Sequence, residues 1–267
     1  MRSFLVSMPP DSTPSNVLIF LHGVGEAFIP LADADRQRLY SAQPGEHAKK
    51  PGVRNVFNHG IPMILSNPGE HAPHQFKYPA RVPFVLPVFN DFVTIVPQMF
   101  LREDMAAGGA VEKMMDHALE FARSVVGNSP KVALMGFSRG GYAAFQLARR
   151  IEVKAIVTMD AAPREDDMST FVKSINDQQK PFWAFFADYK NCDDDFEKRI
   201  TNVHRELQVD DVGFTGDVPK VNKCKTLIPT AGTRVTKHNQ VCDIVSGAHV
   251  VYEWILKALA RPVDGHS

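Results

Sequence analysis

Ser138 is the residue best placed by its neighbours to do chemistry. It stands in Gly136-Phe137-Ser138-Arg139-Gly140, directly after the apolar run Val132–Met135 and before Tyr142–Ala148, whose composition is helical. A serine between glycines, with a strand before it and a helix after it, is the pattern of a nucleophile elbow. The turn is too tight for ordinary side chains, so glycines at 136 and 140 leave room where backbones nearly touch. The hydroxyl is lifted clear of the sheet at the positive end of the following helix. There it can attack a carbonyl, provided a base removes its proton.

Such a base needs a histidine, and the histidine needs an acid to hold its tautomer. On a serine elbow of this type the partners follow in the order acid, then histidine. After Ser138 the chain offers His204, His238 and His249 before its tail. The spacing of Phe196, Ile200, Val203 and Leu207 predicts a helix whose middle carries His204. His249 opens a final helix expected over 248–259, and His238 lies in the polar stretch 232–239, read as a loop. That loop favours His238 over His249. For the acid, Asp188 directly follows the apolar strand Pro181–Ala187 and is preferred. Asp193 and Asp160 remain as alternatives, Asp193 having a competing use as a helix cap.

The oxyanion of an acyl-transfer intermediate needs two backbone N–H groups aimed at one point. Val17–Leu21 reads as a strand buried on both faces and ends in His22-Gly23-Val24. The N–H of Val24 and that of Arg139 are the expected donors. His22 itself is read as a packed loop histidine. His47, His59, His71 and His74 lack a spacing that suits a metal, and no cofactor is expected.

These groups require a scaffold. Apolar runs at 4–8, 17–21, 92–96, 132–135, 154–159, 181–187 and 224–228 predict strands, with amphipathic helices between them at 111–126 and 168–175. Strands separated by helices mean a mostly parallel sheet covered on both faces, with catalytic groups at the carboxyl ends of the strands. The 267 residues, 44% of them hydrophobic, fit one α/β domain. Residues 27–90 carry nine prolines and little period, and are expected to form a cap over the serine's cleft.

Thirty basic and thirty acidic residues balance, and no basic stripe is interleaved with aromatics, so a nucleic-acid partner is not expected. Three cysteines without a paired spacing give neither a disulfide framework nor a zinc site. Residues 1–9 hold too short an apolar run for a secretory signal and no stretch is long enough to span a bilayer, so a cytoplasmic protein is expected. Oligomeric state is not encoded in any of these patterns.

Taken together, the blocks Val17–Gly25, His59-Gly60-Ile61-Pro62, Phe92–Gln98, Gly136–Tyr142, Pro181–Phe185, His238-Asn239 and Tyr252–Leu256 resemble the α/β-hydrolase superfamily. Within it the chain is similar to small serine esterases: the phospholipase/carboxylesterase, dienelactone hydrolase and feruloyl or polyhydroxybutyrate esterase families. The resemblance implies an α/β-hydrolase fold and a serine triad acting on a small-molecule ester, with Ser138 as nucleophile and His238 as base, while an ungapped carry-over puts Lys190 at the acid's position. It departs from the family at the acid, since the usual His-Gly-x-x-Asp is replaced by Phe186-Ala187-Asp188-Tyr189-Lys190. The same triad would serve a thioesterase, an amidase or peptidase, or an acyltransferase. A chain that had lost its acid would instead be an inactive hydrolase-fold receptor for a small molecule.

Overall fold

The computed structural model describes residues 4–9, 14–23, 60–62, 87–99, 109–161, 165–178, 180–187, 225–228, 230 and 232–261. Seven strands form one sheet: β1 (Phe4–Ser7), β2 (Asn16–Leu21), β3 (Val93–Pro97), β4 (Lys131–Phe137), β5 (Ala155–Met159), β6 (Phe182–Ala187) and β7 (Lys225–Ile228). Their spatial order is β1-β3-β2-β4-β5-β6-β7. The edge strand β1 runs antiparallel to β3, with Leu5 opposite Val96, and every other pairing is parallel. Five described helices accompany them: α1 (Ala110–Val126), α2 (Arg139–Leu147), α3 (Glu165–Asp177), α4 (Arg234–Gly247) and α5 (His249–Ala260).

The strands are apolar on both faces because both faces are covered. Val17, Ile19, Val132, Leu134, Ile156 and Phe186 pack with Met114 and Ala118 of α1, Phe145 of α2 and Phe171 of α3. Their alternates, Leu18, Phe20, Ala133, Met135, Val157 and Phe185, pack with Val241 of α4 and Val251, Tyr252 and Ile255 of α5. Burying each large side chain contributes about 1.5–3 kcal/mol, which makes this two-sided core the main reason the sheet forms. Tyr252 is fully buried and meets the cost of its hydroxyl by donating to the Ser246 carbonyl at 2.6 Å.

One element differs from expectation. The stretch 232–239, read as a loop, belongs largely to α4. Its first turns are polar, and beyond them Gln240, Asp243 and Ser246 are buried alongside Val241, Cys242 and Val245. A helix that buries polar residues shows no clean apolar stripe, which hides it from a periodicity reading. Of the insert 27–90, residues 60–62 and the 3₁₀ turn Pro87–Asp91 are described. Ile61 is buried against the α4–α5 face, and the Gly60 N–H donates to Asp243 Oδ1 at 3.0 Å, tying this part of the insert to α4. The helix expected to bear His204 and the remainder of the insert expected to form a cap lie outside the described residues.

Candidate active site

Strand β4 ends at Phe137, and Ser138 takes φ 52°, a left-handed backbone that side chains rarely adopt. The turn is held from both sides. The Ser138 N–H donates to the Met159 carbonyl of β5 at 2.9 Å, and its carbonyl accepts from the Tyr142 N–H in α2 at 3.2 Å. The glycines are required by close approach. A Cβ on Gly140 would lie 1.9 Å from the Leu21 carbonyl oxygen, and one on Gly136 would lie 2.5 Å from that of Gly140. Helix α2 therefore starts against the end of β2, and Arg139, its first residue, follows the serine at the positive end of the helix.

Strand β5 ends in the same way. Asp160 follows Met159 with φ 50°, and its N–H donates to the Phe185 carbonyl of β6 at 2.7 Å. The turn carries the carboxylate out of the sheet while leaving its side chain fully buried. Oδ1 accepts from the Ala187 N–H at the end of β6 at 3.2 Å, and Oδ2 accepts from Nδ1 of His238. A buried carboxylate without partners would be costly; here both oxygens are engaged.

His238 sits one turn into α4, and its ring lies against that of Phe137, with centroids 4.7 Å apart and planes inclined by 37°. With Nδ1–H donated to Asp160, the imidazole presents Nε2 as its basic nitrogen. His249 is exposed at the start of α5, with Nδ1 3.2 Å from Glu253 Oε1. Asp188 and Asp193 lie outside the described residues, and the carboxylate on His238 belongs to Asp160. In sequence Asp160 directly follows β5 and Asp188 directly follows β6, and composition does not rank them. What distinguishes Asp160 is that β5 is hydrogen-bonded directly to the elbow strand.

His22 has a structural part. It is almost wholly buried, its Nε2 accepts from the Met99 N–H at 2.9 Å, and Nδ1–H donates to the Gly23 carbonyl at 2.8 Å. Burial lowers its pKa to about 4, so the ring is neutral and links the ends of β2 and β3. Val24 lies outside the described residues. Among the described residues no group of three or more His, Cys, Asp or Glu side chains is disposed to hold a metal, and no helix is long and apolar enough to cross a membrane.

No protein-family model matches this chain, and no curated protein does. Among solved structures, the chain is similar to Est1E from Butyrivibrio proteoclasticus, with 13% identity over 97% of this chain and 94% of that one and a TM-score of 0.41.

Proposed function

We propose that this chain is a serine hydrolase of α/β-hydrolase type that cleaves a carboxylic ester, with Ser138 as nucleophile, His238 as base and Asp160 as the acid. The observation that carries the reading is the contact of the buried Asp160 carboxylate with the half-buried His238, one strand away from a serine on a left-handed turn. The strand order and the antiparallel edge strand favour the same reading.

In the reaction, Ser138 Oγ attacks the ester carbonyl carbon while His238 Nε2 takes its proton. The tetrahedral oxyanion is received by the N–H of Arg139, with that of Val24 as the proposed second donor. Such donors are worth a few kcal/mol of transition-state stabilisation each. His238 then delivers the proton to the leaving alkoxide, which departs as the alcohol. Water, deprotonated by the same Nε2, attacks the acyl-enzyme, releasing the acid and restoring the serine. Asp160 keeps Nδ1 protonated throughout and stabilises the imidazolium that forms twice in the cycle.

The test is hydrolysis of p-nitrophenyl esters of increasing acyl length, beside matched thioesters and anilides, by the wild type and Ser138→Ala. Ester cleavage that disappears in the variant supports the reading. Faster thioester or anilide turnover would move the assignment to those substrates, and no turnover of any of them would leave a binding role for the cleft.

A further inference from the structure

Resting on the serine-hydrolase reading above, we propose that Phe137 is a positioning residue for the base: its ring fixes the plane of the His238 imidazole for proton transfer with Ser138. A hydrogen bond from Nδ1 to Asp160 fixes one edge of the imidazole but leaves the ring able to turn about that edge. Proton transfer needs Nε2 on a defined line to the serine oxygen, so this freedom works against catalysis. The Phe137 ring, 4.7 Å away and inclined by 37°, removes it by packing against the imidazole. Nothing else in the sequence motif demands an aromatic at this position, since the elbow's geometry rests on the glycines.

Phe137 is itself rigidly placed. It is the last residue of β4, buried, and packed among Met135, Met159 and the α4–α5 face. It also precedes Ser138 directly, so the support of the base and the nucleophile sit on consecutive residues. Any movement of the elbow carries both together and preserves their separation. The aromatic face also suits the imidazolium that forms as the serine proton arrives, by cation–π attraction.

The test compares the full-length wild type with Phe137→Leu and Phe137→Met, which keep an apolar side chain without a ring, and with Phe137→Tyr, which restores the ring. Fluorophosphonate labelling of Ser138, the steady-state constants on p-nitrophenyl acetate and the downfield proton resonance of the His238–Asp160 hydrogen bond are read in parallel, on samples whose melting curves show them folded. The ringless variants are expected to lose about tenfold in labelling rate and kcat with KM within about twofold, and to broaden the downfield resonance. Phe137→Tyr is expected to recover most of that loss. Wild-type labelling and an unchanged resonance in folded Phe137→Leu or Phe137→Met would overturn the assignment while leaving the serine-hydrolase reading intact. Equal losses in Phe137→Tyr would also overturn it. Failure of the wild type to label would remove the reading itself, and this inference with it.

Discussion

Ser138 and Asp160 occupy the same level of neighbouring strands. Phe137 of β4 pairs with Met159 of β5, so the serine and the aspartate are the next residues along each strand. They are also the two non-glycine residues with positive φ among the described residues, at 52° and 50°. The Ser138 N–H on the Met159 carbonyl joins the two turns. Strain of this kind costs on the order of 1–3 kcal/mol per residue and persists where the surrounding structure enforces it. Two such turns side by side put a hydroxyl and a carboxylate at the carboxyl ends of two central strands, with His238 reaching the carboxylate from α4.

Asp160→Asn should separate chemistry from folding. Asparagine tolerates the left-handed backbone and keeps an oxygen for the Ala187 N–H, but it no longer fixes the His238 tautomer. Ester hydrolysis is expected to fall by about 10³–10⁴-fold, with the melting temperature little changed. Asp160→Ala should lose stability as well, because the Ala187 N–H loses its acceptor, at about 1–3 kcal/mol. Asp188→Asn should leave kcat within a few-fold of the wild type. Steady-state kinetics and thermal melts of the three variants check this.

The elbow glycines are not equivalent to other glycines. Gly140→Ala forces a Cβ to within 1.9 Å of the Leu21 carbonyl oxygen, so α2 or β2 must move. Overpacking against backbone is expected to cost about 1–3 kcal/mol or more and to abolish activity. Gly127→Ala, at φ +94° with nothing within 4 Å of the new Cβ, should cost only the backbone strain, about 1–3 kcal/mol, and leave activity intact. Chemical denaturation of the two variants gives the contrast.

His22 makes stability pH-dependent with a defined sign. Its native pKa of about 4 lies below the unfolded 6.5, so the unfolded chain binds the proton more tightly. Its contribution is intact above pH 6.5 and is lost progressively as pH falls from 6.5 towards 4. The loss approaches 3 kcal/mol, at about 1.4 kcal/mol per pH unit across the window. Urea midpoints measured between pH 7 and 4 should therefore fall more steeply in the wild type than in His22→Gln.

The contact between Asp243 and Gly60 predicts a cost that reaches across the chain. Asp243→Ala leaves the buried Gly60 N–H without this carboxylate and should destabilise the protein by about 1–3 kcal/mol. Proteolysis within the insert 27–90 is expected to accelerate in this variant, and limited digestion followed by mass spectrometry reads that directly.

The strands and the helices α1, α2, α3 and α5 were legible in the sequence because each has a simple apolar pattern. The elbow was legible because its glycines and serine are contiguous. The proposed partners of Ser138 are less legible. His238 stands out by its place between the last strand and the last helix, whereas α4 has no clean apolar stripe because it buries Gln240, Asp243 and Ser246. The chain order does not favour Asp160, since strand adjacency is a property of the sheet order. The Phe137–His238 contact joins residues a hundred positions apart and has no local signal.

The most direct test of the triad is mass-spectrometric mapping of a fluorophosphonate adduct on the wild type, Ser138→Ala, His238→Ala, Asp160→Asn and Asp188→Asn. A single adduct on Ser138 is predicted, absent in Ser138→Ala, strongly slowed in His238→Ala and Asp160→Asn, and formed at the normal rate in Asp188→Asn. Normal labelling in Asp160→Asn together with its loss in Asp188→Asn would contradict the account of the acid. No adduct on wild-type Ser138 would contradict the account of the nucleophile.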